Sequence, residues 1–204
     1  MKTTKTSKRT IPALSIMLVL AFFSVNMVYA QNNPWNLEGR IGVAVPSAAL
    51  SDVENAGLDL GLKASYFVSP YFEARVDGEV ELLGGKGSAP NMQLWHYTAG
   101  LGWSWTNPEV TPWSFILNAG TGATTINTDS YSTKGSFTQT YFTINYGVKI
   151  GYDVSKQVDL FVSGMAYTMF ATHSSTQYFA DIPGGRSFST VTSFPITAGI
   201  TLRF

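Results

Sequence analysis

Phe194-Pro195-Ile196-Thr197-Ala198-Gly199-Ile200-Thr201-Leu202-Arg203-Phe204 is the stretch that decides the fold, and its period is two. Phe194, Ile196, Ala198, Ile200, Leu202 and Phe204 fall on one side; Thr197, Gly199, Thr201 and Arg203 fall on the other. Successive side chains of a strand point to opposite faces, so this is a strand with one apolar and one polar face.

Seven further segments share the pattern. Trp35 to Val45 sets Trp35, Leu37, Ile41, Val43 and Val45 against Asn36, Glu38, Arg40 and Gly42. Leu58 to Val68 and Phe72 to Leu82 oppose aliphatic side chains to Asp59, Lys63, Glu73, Arg75, Asp77, Glu79 and Glu81. The remaining four begin at Trp95, Trp113, Phe142 and Val158. Each segment is about the 9–11 residues of a tilted membrane strand. Short connections (Ser69-Pro70, Thr106 to Pro112, Ser155 to Gln157) alternate with long ones (Pro46 to Gly57, Leu83 to Asn91, Thr125 to Gln139, Ala171 to Ser193). That alternation predicts an all-β, eight-stranded antiparallel transmembrane β-barrel over residues 31–204, with both ends on the short-turn, periplasmic rim.

Residues 1–30 read differently. Lys2, Lys5, Lys8 and Arg9 precede an apolar run from Ile11 to Val25, followed by Val28-Tyr29-Ala30. This three-part layout predicts a cleaved secretory signal peptide. The run is shorter than the roughly 20 residues of a spanning helix. From Gln31 onward nine basic residues face thirteen acidic ones, a net charge of −4 that argues against nucleic acid as a partner. The chain has no cysteine, which removes disulfides and thiolate metal sites.

Alternation alone does not say which face is inside. Glycine does. The polar face carries Gly42, Gly61, Gly100, Gly102, Gly120, Gly122, Gly147, Gly151 and Gly199; the apolar face carries only Gly39, Gly78 and Gly164. A solvent-exposed strand face gains nothing from glycine. An eight-strand interior is just wide enough for side chains to fill, and there small residues make room for long charged ones. The apolar face holds too much Trp, Tyr, Phe and Leu for so narrow a space. Facing lipid they need no fitting, and Trp35, Tyr71, Trp105, Trp113 and Phe204 fall where an aromatic girdle belongs.

The terminal aromatic, with apolar residues at every second position before it, resembles the C-terminal signature of bacterial outer-membrane barrels. The whole of residues 31–204 resembles the small outer-membrane barrel family that includes the barrels of OmpA-like and OmpX-like proteins. The resemblance implies export to the outer membrane of a Gram-negative-type bacterium. It also implies contact with outer-membrane lipid and lipopolysaccharide, and recognition of Ile200, Leu202 and Phe204 by the barrel assembly machinery. It lies in architecture and terminus, and no motif within it carries a chemistry.

By parity the inward charges are Glu38, Arg40, Asp59, Lys63, Glu73, Arg75, Asp77, Glu79, Glu81, Lys149, Asp153, Asp159 and Arg203. Charges in a narrow interior must pair or keep water. The favoured reading is a salt-bridge plug; the alternative is a narrow, cation-preferring passive channel, since eight are acidic and five basic. His96 is expected as an interior hydrogen-bonding side chain. His173 and Ser175 form an H-x-S pair near the long-loop rim, which raises a lipid A-modifying enzyme as a further alternative. No phosphate-binding glycine loop occurs, and Asp77, Glu79 and Glu81 lack both a histidine and a calcium-loop geometry. No cofactor or metal is therefore expected. The long loops are Ser/Thr/Gly-rich and are where a surface ligand would bind. The sequence reading is an integral outer-membrane barrel with a structural or surface-interaction role and no catalysis; a soluble ligand-binding barrel is its other rival.

Overall fold

The computed structural model describes residues 34–47, 49–106, 110–130, 135–170, 180–182, 184, 185, 187 and 189–204. The eight strands are β1 (Trp35–Ser47), β2 (Gly57–Ser69), β3 (Phe72–Leu83), β4 (Met92–Ser104), β5 (Trp113–Thr128), β6 (Phe137–Asp153), β7 (Val158–Phe170) and β8 (Thr190–Arg203). Each pairs antiparallel with the next, and β8 returns to β1, so the sheet is a closed barrel. At the seam the Phe204 amide donates to the Trp35 carbonyl at 2.9 Å. Among the described residues no helix is long and apolar enough to cross a membrane; α1 (Ala49–Val53) is a five-residue turn above the barrel.

The outer wall is apolar on every strand. Leu37, Ile41, Leu62, Val76, Leu101, Val148, Val162 and Ile196 all lie exposed there. About 10 residues rising ~3.3 Å each at a tilt of ~40° stand about 25 Å tall, the height of the apolar band on outer-membrane barrels. Trp35, Tyr71, Trp105, Trp113 and Phe204 stand exposed around the short-turn rim. There Trp35 packs edge-on against Tyr66, and Trp113 does the same against Tyr152.

Three strands run further toward the long-connection rim than the alternation predicts. The connection expected at Thr125 to Gln139 shortens, because β5 continues to Thr128 and β6 begins at Phe137; the one expected at Ala171 to Ser193 shortens too, because β8 begins at Thr190. The physical reason is an exchange of faces. Above the apolar band the interior turns apolar and the exterior turns polar. Leu83, Met92, Leu94, Ile126, Met169 and Val191 point inward and are buried, joined by Leu50 and Val53 of α1 and by Ile182. On the outside at this height, hydroxyls pair across strands: Thr125 with Thr140 at 2.9 Å and Thr168 with Thr192 at 3.2 Å. The outer end of the barrel is thus a small globular core, closed like that of a water-soluble protein.

Inward glycines also set how closely strands approach. A Cβ on Gly122 would lie 2.0 Å from the Tyr97 carbonyl oxygen, whereas one on outward Gly78 would meet nothing within 4 Å. The same substitution should therefore have opposite effects at the two sites. Gly122→Ala is expected to lower stability by about 1–3 kcal/mol in urea unfolding, as overpacking does. Gly78→Ala should be neutral or stabilising by about 0.5–1 kcal/mol. Equal effects at both positions would contradict the assignment of faces.

Candidate functional site

The lumen is built in tiers. At the short-turn rim Arg203 meets Asp153 at 2.6 Å and Asp159 at 3.7 Å, and this pair is part-exposed. One tier up, Glu38 accepts from both Lys149 at 2.5 Å and Lys63 at 2.8 Å. Lys63 also meets Glu73 at 2.8 Å, to which Ser65 donates at 3.0 Å. Lys149 lies 4.5 Å from the centre of the Phe161 ring. Above it the Arg40 guanidinium bridges Asp77 and Glu79, and Arg75 pairs with Asp77.

The next tier mixes neutral and charged donors. Tyr167 donates to Glu79 at 3.0 Å and stacks on His96 at a centroid distance of 4.1 Å. His96 joins Glu81 at 3.0 Å to Thr124 at 2.7 Å, and Ser193 donates to Glu81 at 2.7 Å. Elsewhere Asn145 donates to Thr98 at 3.0 Å. The apolar cap begins at once, because Leu94 sits directly across from Glu81.

The charges read from parity thus lie in one continuous stack. Glu38, Arg40, Asp59, Lys63, Glu73, Arg75, Asp77, Glu79, Glu81, Lys149 and Asp159 are buried, while Asp153 and Arg203 are part-exposed at the rim. Gly61 and Gly102 are what let the long side chains lie flat. A Cβ on Gly61 would strike the Arg40 Nε at 2.5 Å, and one on Gly102 would strike Glu73 Cγ at 2.6 Å. Ile200 and Leu202 point outward beside Phe204 on the lipid-side wall. His173 and Ser175 lie outside the described residues, as does the segment 1–30.

Sequence reasoning missed three things. Phe161, Met165 and Ile116 fill the lumen between the charges, beside Tyr167, which shares the inward parity of Asp159 and Ser163; the parity of the other three is readable too, but their bulk argues for the outer wall. The apolar cap is hidden because the alternation keeps its phase while the two faces exchange character. On the outer wall, Gly39 and Gly78 flank Leu62 in one cross-strand row and leave a shallow apolar hollow bordered by Trp95 and Tyr97.

Glu54 belongs to the outer cap and stands above the membrane-spanning part of the strands. The segment it lies in is stitched to the next connection: Asn55 donates to the Gly84 carbonyl at 2.8 Å and Lys86 to that of Val53 at 2.8 Å. The Glu54 carboxylate is fully buried, and among the described residues neither oxygen has a hydrogen-bond partner. Burial pushes this carboxyl up to about 8, against the pull of nearby Lys86.

No protein-family model matches the sequence, and no curated protein matches it. Solved structures share the fold. Neisserial surface protein A superposes with a TM-score of 0.64 at 16% identity, covering 83% of this chain and 97% of that one. A major outer membrane protein from Thermus thermophilus gives 0.57 at 9% identity, over 83% and 99%. Ail, the attachment invasion locus protein of Yersinia pestis, gives 0.50 at 12% identity, over 84% and 99%. At such identities the likeness is one of fold, and the fold is the eight-strand closed barrel of small outer-membrane proteins.

Glu54 makes the outer cap pH-sensitive in a defined direction. A carboxyl raised in the folded state binds a proton there that the unfolded chain has released. Stability is then fullest below the ordinary carboxyl value near 4.5 and falls as pH rises toward about 8. Glu54→Gln should flatten that decline and raise the unfolding temperature at pH 8, measured by circular dichroism in micelles. A variant with the wild-type pH profile would show that Glu54 is not the group responsible.

Proposed function

We propose that the protein is an integral barrel of the bacterial outer membrane with a structural or surface-contact role, without conduction and without catalysis. The observation that carries this reading is a lumen filled twice over. Buried ion pairs occupy its lower and middle tiers, and an apolar core closes its outer end. A conducting pore needs a continuous wet path, and an apolar core holds no ion.

The membrane location rests on the wall. An apolar band around the whole circumference is far larger than the apolar patches soluble monomers expose. A closed barrel is also the one strand architecture whose backbone is fully paired in lipid. Outer-membrane lipid and lipopolysaccharide are the partners this surface suits. The outward row Ile200, Leu202 and Phe204 supports the C-terminal strand as the segment that the assembly machinery reads. Export would proceed through the cleaved N-terminal signal peptide read from residues 1–30.

Surface contact would fall to the long-connection rim, where loops sit on a rigid base. One protein of this fold, Ail, is named for attachment and invasion, which fits such a role without assigning it here.

Planar-bilayer recording of the refolded protein tests the sealed lumen. The expected result is a silent bilayer, for wild type and equally for Arg75→Ala. That variant should lose stability, because it takes a buried cation from Asp77. Discrete cation-preferring steps from folded wild type would overturn the reading in favour of a channel.

A further inference from the structure

Ion pairing satisfies most of the lumen's charges, but between β2 and β3 carboxylates crowd together. Asp59 on β2 stands directly across from Glu81 on β3, with Glu79 next on the same face of β3. Like charges directly opposite on neighbouring strands repel. One carboxylate oxygen of each of Asp59, Glu79 and Glu81 lies within 4.8 Å of the other two, and all three side chains are at least nine-tenths buried. The guanidiniums beside this cluster, those of Arg40 and Arg75, are already engaged with Asp77 and Glu79.

The partners of these carboxylates are divided in an informative way. Glu79 commits Oε2 to Arg40 and Tyr167, and Glu81 commits Oε1 to His96 and Ser193. The other oxygen of each, Glu79 Oε1 and Glu81 Oε2, has no hydrogen-bond partner among the described residues. Asp59 is fully buried, and neither of its oxygens has one. A buried carboxylate with no N–H or hydroxyl donor is costly. Among the described residues, the one neighbour within hydrogen-bond reach of Asp59 is the Glu79 carboxyl, a contact that needs a shared proton or a cation between them.

We propose that Asp59, Glu79 and Glu81 bind a calcium ion inside the barrel, just beneath the apolar cap. The donors are all carboxylate oxygens, which select a hard cation. The one nearby nitrogen ligand, His96, already spends both ring nitrogens on Glu81 and Thr124. Three carboxylate oxygens gathered within 4.8 Å of one another can share one cation, and a cage of protein carboxylates suits calcium better than magnesium, which keeps several of its waters and binds through one or two carboxylates. The spacing of acidic residues along β3 alone does not suggest a metal site, because the third ligand comes from β2. Water completes the shell, as calcium takes about 6–8 oxygens. Leu94 above and the Arg40–Tyr167 pair below shut the site off from either rim, so the ion enters as the barrel closes and leaves slowly. Its role would be to hold β2 and β3 together where their charges otherwise repel.

The test is to refold the full barrel from chelator-treated denaturant into micelles with calcium chloride alone or magnesium chloride alone. Free ions are removed by gel filtration, the fold is verified by heat-modifiable gel mobility, and bound metal is counted by mass spectrometry. About one calcium per folded chain is expected, with a higher unfolding temperature and at least ~10-fold less magnesium retained. Asp59→Asn and Glu81→Gln should fold and lose the calcium, while Asp153→Asn at the opposite rim should keep it. Folded wild type that carries no calcium would overturn the proposal and leave protons as the neutralising charge. So would folded Asp59→Asn or Glu81→Gln that retains as much calcium as wild type.

Discussion

The pairing of β8 with β1, from Asn36 opposite Arg203 to Ser47 opposite Thr192, removes both edges the sheet would otherwise have. In lipid an unpaired backbone group costs several kcal/mol, so an open sheet of these strands could not remain there. Closure with eight strands fixes a second constraint. The interior is too narrow for bulk water and too crowded for a full set of large side chains. The glycines, the ion pairs and the outward position of the aromatic rings are consequences of that width.

Within the lumen the protein uses two ways of filling space. Where lipid surrounds the barrel, the inside is polar, and each long charged side chain is laid beside a glycine or against a partner from another strand. Lys149 and Glu38 are an example, 111 residues apart in sequence yet 2.5 Å apart in space. Such pairs contribute less to net stability than their number suggests, because desolvation offsets most of the attraction. They do penalise any slip in register, since one residue of slip would turn every charge toward lipid. Above the apolar band the solvent changes, and the interior becomes apolar around Leu94, Ile126 and Met169.

That change marks the boundary of what the sequence made legible. The strict alternation of Phe194 to Phe204 and its seven counterparts was enough for strand number, direction and face, because each face meets one environment along that length. The outer ends of β5, β6 and β8 read as loop; in β5, Thr125 and Asn127 look like connection residues until Ile126 is seen packed inside. The lumen charges could be named by parity, but not which cation meets which carboxylate. That choice depends on side-chain reach across the barrel, and neighbours such as Asp59 and Glu81 come from register rather than from spacing along one strand.

The central claim is that the apolar face lies outside, against lipid. Trp35, Trp95, Trp103, Trp105 and Trp113 are the chain's five tryptophans, and all of them stand exposed on the outer wall. Tryptophan fluorescence in vesicles whose lipids carry bromine on the acyl chains tests this directly. The account predicts blue-shifted emission that is strongly quenched by brominated lipid. Emission unaffected by the brominated chains, from protein shown to be folded, would place the tryptophans away from lipid and contradict it.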